Sequence, residues 1–135
     1  MNKANGTFSI VSWNETTKKE QEKQKTTIAS VEYKIDGIFE GHLSVEYAMF
    51  YSEFDPADVH AGTAEFAGTI WFTGELSGLS GSFGALDRGV YSSGQVKSNF
   101  EIVKGSGKGK LAGIKGSGTY SASKDGMKIE LSYEI

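Results

Sequence analysis

The sequence contains no cysteine, which excludes disulfides, thiolate metal sites and a cysteine nucleophile together. Proline occurs once, at Pro56, against 18 glycines. Disordered low-complexity chains are usually rich in both residues, whereas glycine with threonine, valine and aromatic residues is typical of many strands joined by tight turns. The composition therefore predicts an ordered all-β protein, and 135 residues predict a single domain over residues 1–135.

Long apolar runs are also missing from the chain. No stretch approaches the length of a membrane span, and residues 1–6 lack the apolar run of a signal peptide. We therefore expect a cytoplasmic protein with no membrane partner. The net charge of −3 argues against a nucleic-acid partner, because clustered lysine and arginine carry that kind of binding.

One glycine-serine pattern occurs twice. Residues 74–82 and 109–117 share the spacing Gly-x-Leu-x-Gly-apolar-x-Gly-Ser. Because glycine adopts positive φ without a Cβ clash, this spacing marks chain reversals. An apolar residue inside such a reversal holds the loop over a core. We interpret both copies as closing the same kind of β-hairpin.

Alternation of apolar and polar residues predicts about eight strands. The alternation is regular over residues 28–35 and 127–135, whereas residues 42–52 and 63–73 are apolar on both faces. The charged residues 16–27 have no apolar stripe for a docked helix, so we expect a solvated loop or hairpin arm there. Residues 53–61, which contain Pro56, are expected to form a loop.

The first strand changes its inward face partway along. Phe8 and Ile10 occupy one face, whereas Val11 and Trp13 occupy the other. This switch indicates a bulge near Ser12, or a strand buried on both sides.

Eight antiparallel strands can form a sandwich or close into a barrel. Closure removes unpaired edges, and the glycines inside strands, at Gly68, Gly84 and Gly118, suit the sharp bends of a barrel wall. We therefore predict an eight-stranded antiparallel β-barrel.

Several short motifs support this fold. They are Gly-Thr-Phe at residues 6–8 with Trp13 behind it, Val-Glu-Tyr at 45–47, Gly-Ser-Phe at 81–83 and the glycine run of 105–116. With these motifs the chain resembles a bacterial family of unknown function that is grouped with the allene oxide cyclase-like barrels. The resemblance implies an eight-stranded antiparallel barrel that self-associates. A histidine is common in that family where this chain has Asp87, so the resemblance carries over no catalytic residue.

Metal and phosphate sites find little support in the sequence. His42 and Glu46 share a strand face but lie about 13 Å apart along a strand, too far for one ion, and His60 is distant in sequence. No G-x-G-x-x-G or P-loop spacing occurs, although residues 105–110 could form a small anion nest with two lysines. We expect no metal and no cofactor.

Aromatic and acidic residues remain as candidates for a small apolar ligand. Glu46 is an acid in the middle of a strand, and Asp87 and Arg88 are neighbours that must point to opposite faces. A shift of the strand register by one residue would place Glu46 instead of Tyr47 inside the barrel. The sequence therefore does not determine which face of this strand points inward. The predicted ligand-binding residues are Glu46, Tyr47, Tyr51, Trp71, Phe83, Asp87 and Phe100.

Three functions compete at this point. The aromatic side chains favour a barrel that binds a small apolar ligand. A cofactor-independent isomerase or cyclase would act on such a ligand with few polar groups. Alternatively, the barrel is packed shut and the second apolar face, with Phe50 and Trp71, is the interface of a homodimer.

Overall fold

The computed structural model describes the backbone of residues 1–135 and all side chains except those of Val59 and His60. Its regular elements are nine strands. They are β1 Asn2–Gln21, β2 Gln24–Gly37, β3 Phe39–Asp55, β4 Asp58–Leu76, β5 Leu79–Ser92, β6 Gln95–Ile102, β7 Lys108–Gly109, β8 Lys115–Ser123 and β9 Gly126–Glu134. The all-β prediction is confirmed.

Eight of these strands form a closed antiparallel ring. The order is β4, β3, β2, β1, β9, β8, β6, β5, and β5 pairs with β4 to complete the circuit. The remaining strand, β7, is a two-residue pairing with Gly81 and Ser82 of β5. The predicted eight-stranded antiparallel barrel is therefore confirmed, and its last strand pairs with both β1 and β8.

The strands differ greatly in length. β1 has 20 residues and β4 has 19, whereas β6 has 8 and β8 and β9 have 9 each. The pairing of β1 with β9 covers residues from Asn2 to Thr7, while β1 continues beside β2 as far as Gln21. One side of the wall is consequently much taller than the other.

The two glycine-serine copies have different structures. The first copy closes the β4–β5 hairpin through Ser77 and Gly78, which have φ values of 51° and 83°, as predicted. The second copy lies in the long connection from β6 to β8, so the prediction of two similar hairpins is wrong. Its apolar residues Leu111 and Ile114 are nevertheless fully buried, and they hold this connection against the core as expected.

Two loop predictions have different outcomes. Residues 16–27 form a hairpin arm of β1 and β2, which was one of the two structures predicted. The predicted loop over 53–61 is wrong, because β3 extends to Asp55 and β4 begins at Asp58. The turn is short because the Asp55 carboxylate accepts a hydrogen bond from the Ala57 amide at 2.9 Å, which stabilises a tight reversal.

One end of the ring is packed solid. The side chains of Phe39, Phe72 and Phe83 are buried there, with ring centroids of Phe72 lying 4.8 Å from Phe39 and 4.9 Å from Phe83. Leu111 and Ile114 complete this packing from the β6–β8 connection. Any ligand must therefore enter from the opposite end, where the β1–β2, β3–β4, β5–β6 and β8–β9 turns lie.

None of the described elements is a helix that is apolar and long enough to cross a membrane.

Candidate functional site: an aromatic cavity at the open end

A cavity of about 870 Å³ occupies the open end of the barrel. Its walls come from the long strands β1 to β5 on one side and from Val96, Ala122 and Met127 of the short strands on the other. Below the cavity, Leu43, Val45 and Ile129 fill the interior. The protein thus combines a packed base with an open upper chamber.

A bulge in β1 brings two residues into the cavity. The β1–β2 register shifts between Ile10 and Ser12, so the predicted bulge is confirmed. Because a bulge adds one residue to one strand, Phe8 and Ile10 face inward before it, and Trp13 and Glu15 face inward after it. The Trp13 ring stacks on Tyr47 at 6.0 Å, and its Nε1–H donates to Glu15 Oε1 at 3.0 Å.

Three tyrosines and one carboxylate form a hydrogen-bonded chain at the cavity floor. The hydroxyl oxygens of Tyr33 and Tyr47 are 2.9 Å apart, and those of Tyr47 and Tyr120 are 2.7 Å apart. Tyr120 donates to Asp87 Oδ2 at 2.5 Å, and Ser98 donates to Asp87 Oδ1. All three tyrosines line the cavity, whereas Asp87 lies behind Tyr120 with 4 % of its surface exposed.

The strand register explains how these groups meet. Tyr47 of β3 and Asp87 of β5 both pair with Gly68 of β4, which lies between them. A Cβ on Gly68 would lie 2.1 Å from the carbonyl oxygen of Glu46, so the close approach of β3 and β4 requires glycine here. A Cβ on Gly118 would likewise lie 2.3 Å from the Glu130 carbonyl oxygen, whereas a Cβ on Gly84 meets no atom closer than 3.6 Å. The predicted sharp bends at these three glycines stay a prediction.

Burial changes the acidity of all four groups in this hydrogen-bonded series. Loss of solvent raises the pKa of Tyr33 to about 12, and it also raises the pKa values of Tyr47 and Tyr120. The three phenols therefore keep their protons at physiological pH. Desolvation also raises the pKa of Asp87 above its ordinary value of 3.8, against the opposing effect of the Ser98 and Tyr120 hydrogen bonds.

The raised pKa of Asp87 predicts a specific dependence of stability on pH. The folded state binds this proton at a higher pH than the unfolded state does, so the contribution of Asp87 to stability falls as the pH rises from about 4 through the folded-state pKa. Asp87→Asn is uncharged throughout and lacks this loss. We expect the wild-type free energy of unfolding to decrease, relative to that of the variant, in urea titrations between pH 4 and pH 8. A difference that stays constant over this range would contradict the assignment.

The rim of the cavity carries opposite charges. Tyr51 donates to Glu15 Oε2 at 2.7 Å, which gives Glu15 two hydrogen-bond donors, Trp13 and Tyr51. The Lys25 ammonium lies 4.9 Å from the ring centroid of Tyr51 and 4.6 Å from that of Phe54. The polar groups of the cavity thus include the tyrosine hydroxyls at its floor and the charged side chains at its mouth.

The structure brings some of the predicted site residues together and separates others. Tyr47 and Tyr51 line the cavity, whereas Asp87 is buried behind Tyr120 and does not line it. Phe100 is buried beside Tyr120, with ring centroids 6.4 Å apart, and Phe83 is buried in the packed base. Arg88 is exposed on the outer face, so the expected separation of Asp87 and Arg88 is confirmed.

Two predicted residues lie outside the barrel. Glu46 is exposed and accepts a hydrogen bond from Ser30 at 2.8 Å, and 69 % of the Trp71 surface is exposed. The register places Tyr47 inside, and side chains alternate along a strand, so Glu46 must face outward. Glu46 is therefore not buried, although its predicted role in ligand binding depended on burial inside the barrel.

The predicted set omits several residues that line the cavity, among them Trp13, Glu15 and Tyr33. The face switch in β1 identifies Trp13, and it identifies Glu15 once the bulge is placed correctly. Regular alternation puts Tyr33 and Tyr120 on apolar faces, but it carries no sign that their hydroxyls meet.

Metal binding finds no support in the described side chains, which contain no group of three histidine, aspartate or glutamate residues that could hold an ion. His42 is exposed, and His60 lies outside the described side chains. The possible anion nest of residues 105–110 belongs to the β6–β8 connection, away from the cavity.

Fold and cavity together define a small antiparallel barrel, closed at one end, with a chamber of aromatic walls at the other. The chain belongs to the family described as "Protein of unknown function (DUF3224)", which it matches over residues 4–133. The predicted membership of a family of unknown function is confirmed, while its grouping with allene oxide cyclase-like barrels stays a prediction.

Comparison with solved structures agrees with the fold. The chain is similar to the crystal structure of a protein of unknown function from the DUF3224 family of Shewanella oneidensis MR-1, with a TM-score of 0.74 and 20% identity. The match covers 100% of this chain and 98% of that chain. No curated protein sequence matches this chain significantly.

Proposed function

We propose that the protein binds a small, largely apolar molecule in the cavity at the open end of the barrel. The observation that carries this proposal is the chamber itself, because its volume of about 870 Å³ falls within the range of roughly 300–1,000 Å³ typical of ligand sites. Eight-stranded barrels are just wide enough to hold one small ligand.

The distribution of polar groups supports the same function. The aromatic residues Trp13, Tyr47, Phe66 and Tyr91 line the cavity. The tyrosine chain supplies hydroxyls at the floor. A few convergent polar groups in an apolar wall fix the orientation of a ligand while burial of its apolar surface supplies the affinity.

Filling the cavity tests the proposal. Val96 lines the chamber, so Val96→Phe should weaken binding of 2-ethylnaphthalene at least tenfold by occupying its space, as measured by equilibrium dialysis. Val90→Phe is the matched control, because Val90 lies on β5 with 45 % of its surface exposed outside the cavity. We expect the control to bind like the wild type. Equal losses in the two variants, or no binding by the wild type, would contradict the proposal.

A cofactor-independent isomerase or cyclase is the second candidate, and the Tyr120–Asp87 contact favours it. Asp87 is a buried carboxyl with a raised pKa, joined to the cavity through the Tyr120 and Tyr47 hydroxyls. A carboxyl whose pKa is raised by burial is a candidate for general acid–base catalysis. If native mass spectrometry finds a co-purified molecule, retained binding with lost turnover in Asp87→Asn would support this candidate.

A homodimer is the third candidate, favoured by the outer face of β3 to β5. Phe50, Trp71 and Leu86 have exposed fractions of 51 %, 69 % and 60 % on that face. We propose that a second copy of the chain covers these side chains around a twofold axis, which is the commonest symmetry of homo-oligomers. A cytoplasmic location stays a prediction of the sequence.

A further inference from the structure

We infer that the cavity floor selects ligands that carry a hydrogen-bond donor, such as a hydroxyl or N–H group, over ligands that carry only an acceptor. This inference depends on the proposed ligand-binding function, which it deepens by naming a chemical class. It follows from the direction in which the tyrosine chain donates its protons.

Asp87 sets that direction. A carboxylate has no proton to donate, so Tyr120 must donate to Asp87 Oδ2. The single proton of Tyr120 is then used, and its oxygen can only accept from Tyr47. By the same argument Tyr47 accepts from Tyr33. Each phenol in the order Tyr33, Tyr47, Tyr120 therefore donates toward Asp87 and away from the cavity.

Protonation of Asp87 does not require the chain to reverse. Ser98 Oγ lies 3.3 Å from the carbonyl oxygen of Arg88, to which its hydroxyl can donate. In that arrangement the Asp87 proton is donated from Oδ1 to Ser98, while Oδ2 continues to accept from Tyr120. With the proton in this position, the order of donation from Tyr33 to Asp87 is the same as when Asp87 is ionised.

The consequence appears at Tyr33, the first member of the hydrogen-bonded series of tyrosines. Its proton is donated to Tyr47. Among the residues whose side chains are described, none donates a hydrogen bond to the Tyr33 oxygen. A phenolic oxygen has two lone pairs, so Tyr33 offers accepting capacity and no proton to the cavity it lines. If a hydrogen-bond acceptor of the ligand lay against this floor, it would lose its bound water without gaining a donor. That loss reduces the free energy of binding.

The mouth of the cavity differs from the floor. Glu15 is a further acceptor there, and Lys25 is a donor near the Tyr51 and Phe54 rings. A donor preference that arises at the floor should therefore depend on the tyrosine chain and not on Glu15.

Three ligands of nearly equal shape separate these effects. The probes are 2-ethylnaphthalene, 2-methoxynaphthalene and 2-naphthalenemethanol, whose substituents offer no polar atom, an acceptor alone, and a donor with an acceptor. We expect the wild type to bind 2-naphthalenemethanol about fivefold to tenfold more tightly than 2-methoxynaphthalene in equilibrium dialysis. Because the alcohol is the more strongly hydrated of the two, tighter binding must come from a hydrogen bond gained in the cavity.

Tyr120→Phe tests the origin of the preference. It keeps the ring and removes the oxygen that links Tyr47 to Asp87, so Tyr47 becomes free to donate to Tyr33, and Tyr33 to the ligand. We expect the ratio of the two affinities to fall to about one, with tighter binding of the methoxy probe. Tyr133→Phe, which removes a hydroxyl bonded to Ser77 outside the cavity, should leave the ratio unchanged.

The outcomes distinguish the donor preference from the ligand-binding function on which it depends. Binding of all three probes with similar affinity by the wild type would overturn the donor preference and leave the apolar cavity supported. Persistence of the wild-type ratio in Tyr120→Phe, or its loss in Tyr133→Phe, would also overturn the inference. If none of the three probes binds, the ligand-binding function fails and the inference fails with it. Should Tyr120→Phe not fold, the wild-type ratio alone decides.

Discussion

Replacing Phe72 with alanine is expected to lower the free energy of unfolding by about 3–5 kcal/mol, because the change removes a ring from the packed base and leaves a cavity. The Phe72 side chain is fully buried between Phe39 and Phe83. Domains of this size are commonly stable by only about 5–15 kcal/mol, so the variant should be close to unfolding. Urea denaturation followed by circular dichroism measures the loss.

The adjacent residue supplies a matched control. Trp71 has a larger ring on the same strand, but 69 % of its surface is exposed. Trp71→Ala should therefore change the free energy of unfolding by no more than about 0.5 kcal/mol for an isolated barrel. Comparable losses in both variants would contradict the assignment of inner and outer faces. A loss in Trp71→Ala that grows with protein concentration would instead support the proposed homodimer.

Gly68→Ala is expected to destabilise the protein by roughly 1–3 kcal/mol and to weaken ligand binding at the same time. The added Cβ would lie 2.1 Å from the Glu46 carbonyl oxygen and 3.3 Å from the Tyr47 Cα. Because both are backbone atoms of β3, the strands must move apart, and Tyr47 moves with them. Urea denaturation and dialysis with 2-ethylnaphthalene measure the two effects.

Gly84→Ala is the control for this prediction. Its Cβ would make only ordinary contacts, the nearest being Ser106 Cβ at 3.6 Å. Since alanine restricts the unfolded chain more than glycine does, the variant should be between unchanged and about 1 kcal/mol more stable. If Gly68→Ala were tolerated as well as Gly84→Ala, the close approach of β3 and β4 beside Tyr47 would not be a feature of the protein in solution.

Much of the fold could be predicted from local patterns. Side-chain alternation identifies most strands because period-two burial is a direct consequence of the pleat. The bulge in β1 was also predictable, since a bulge leaves a visible change of face between Ile10 and Trp13. The β3–β4 turn was not, because Pro56 beside two acids is as common in long loops as in tight turns.

The site was harder to predict than the fold. Tyr47, Tyr51 and Asp87 were identified from residue type, but Glu46 and Trp71 were assigned to the wrong side because strands 42–52 and 63–73 have apolar residues on both faces. The meeting of Tyr33, Tyr47, Tyr120 and Asp87 joins residues from four strands. It depends on register across the whole wall, which no local pattern in one sequence specifies.

The unequal strand lengths have a consequence for behaviour in concentrated solution. Beyond Thr7, β1 has no pairing with β9, so the backbone amides and carbonyls along one border of this strand lack a neighbouring strand in the described pairings. Such a border is a template on which the strand of another molecule can assemble into fibrils. Lys18, Lys19 and Glu20 lie along this unpaired border and are exposed. Charged side chains at these positions oppose the addition of strands from other molecules.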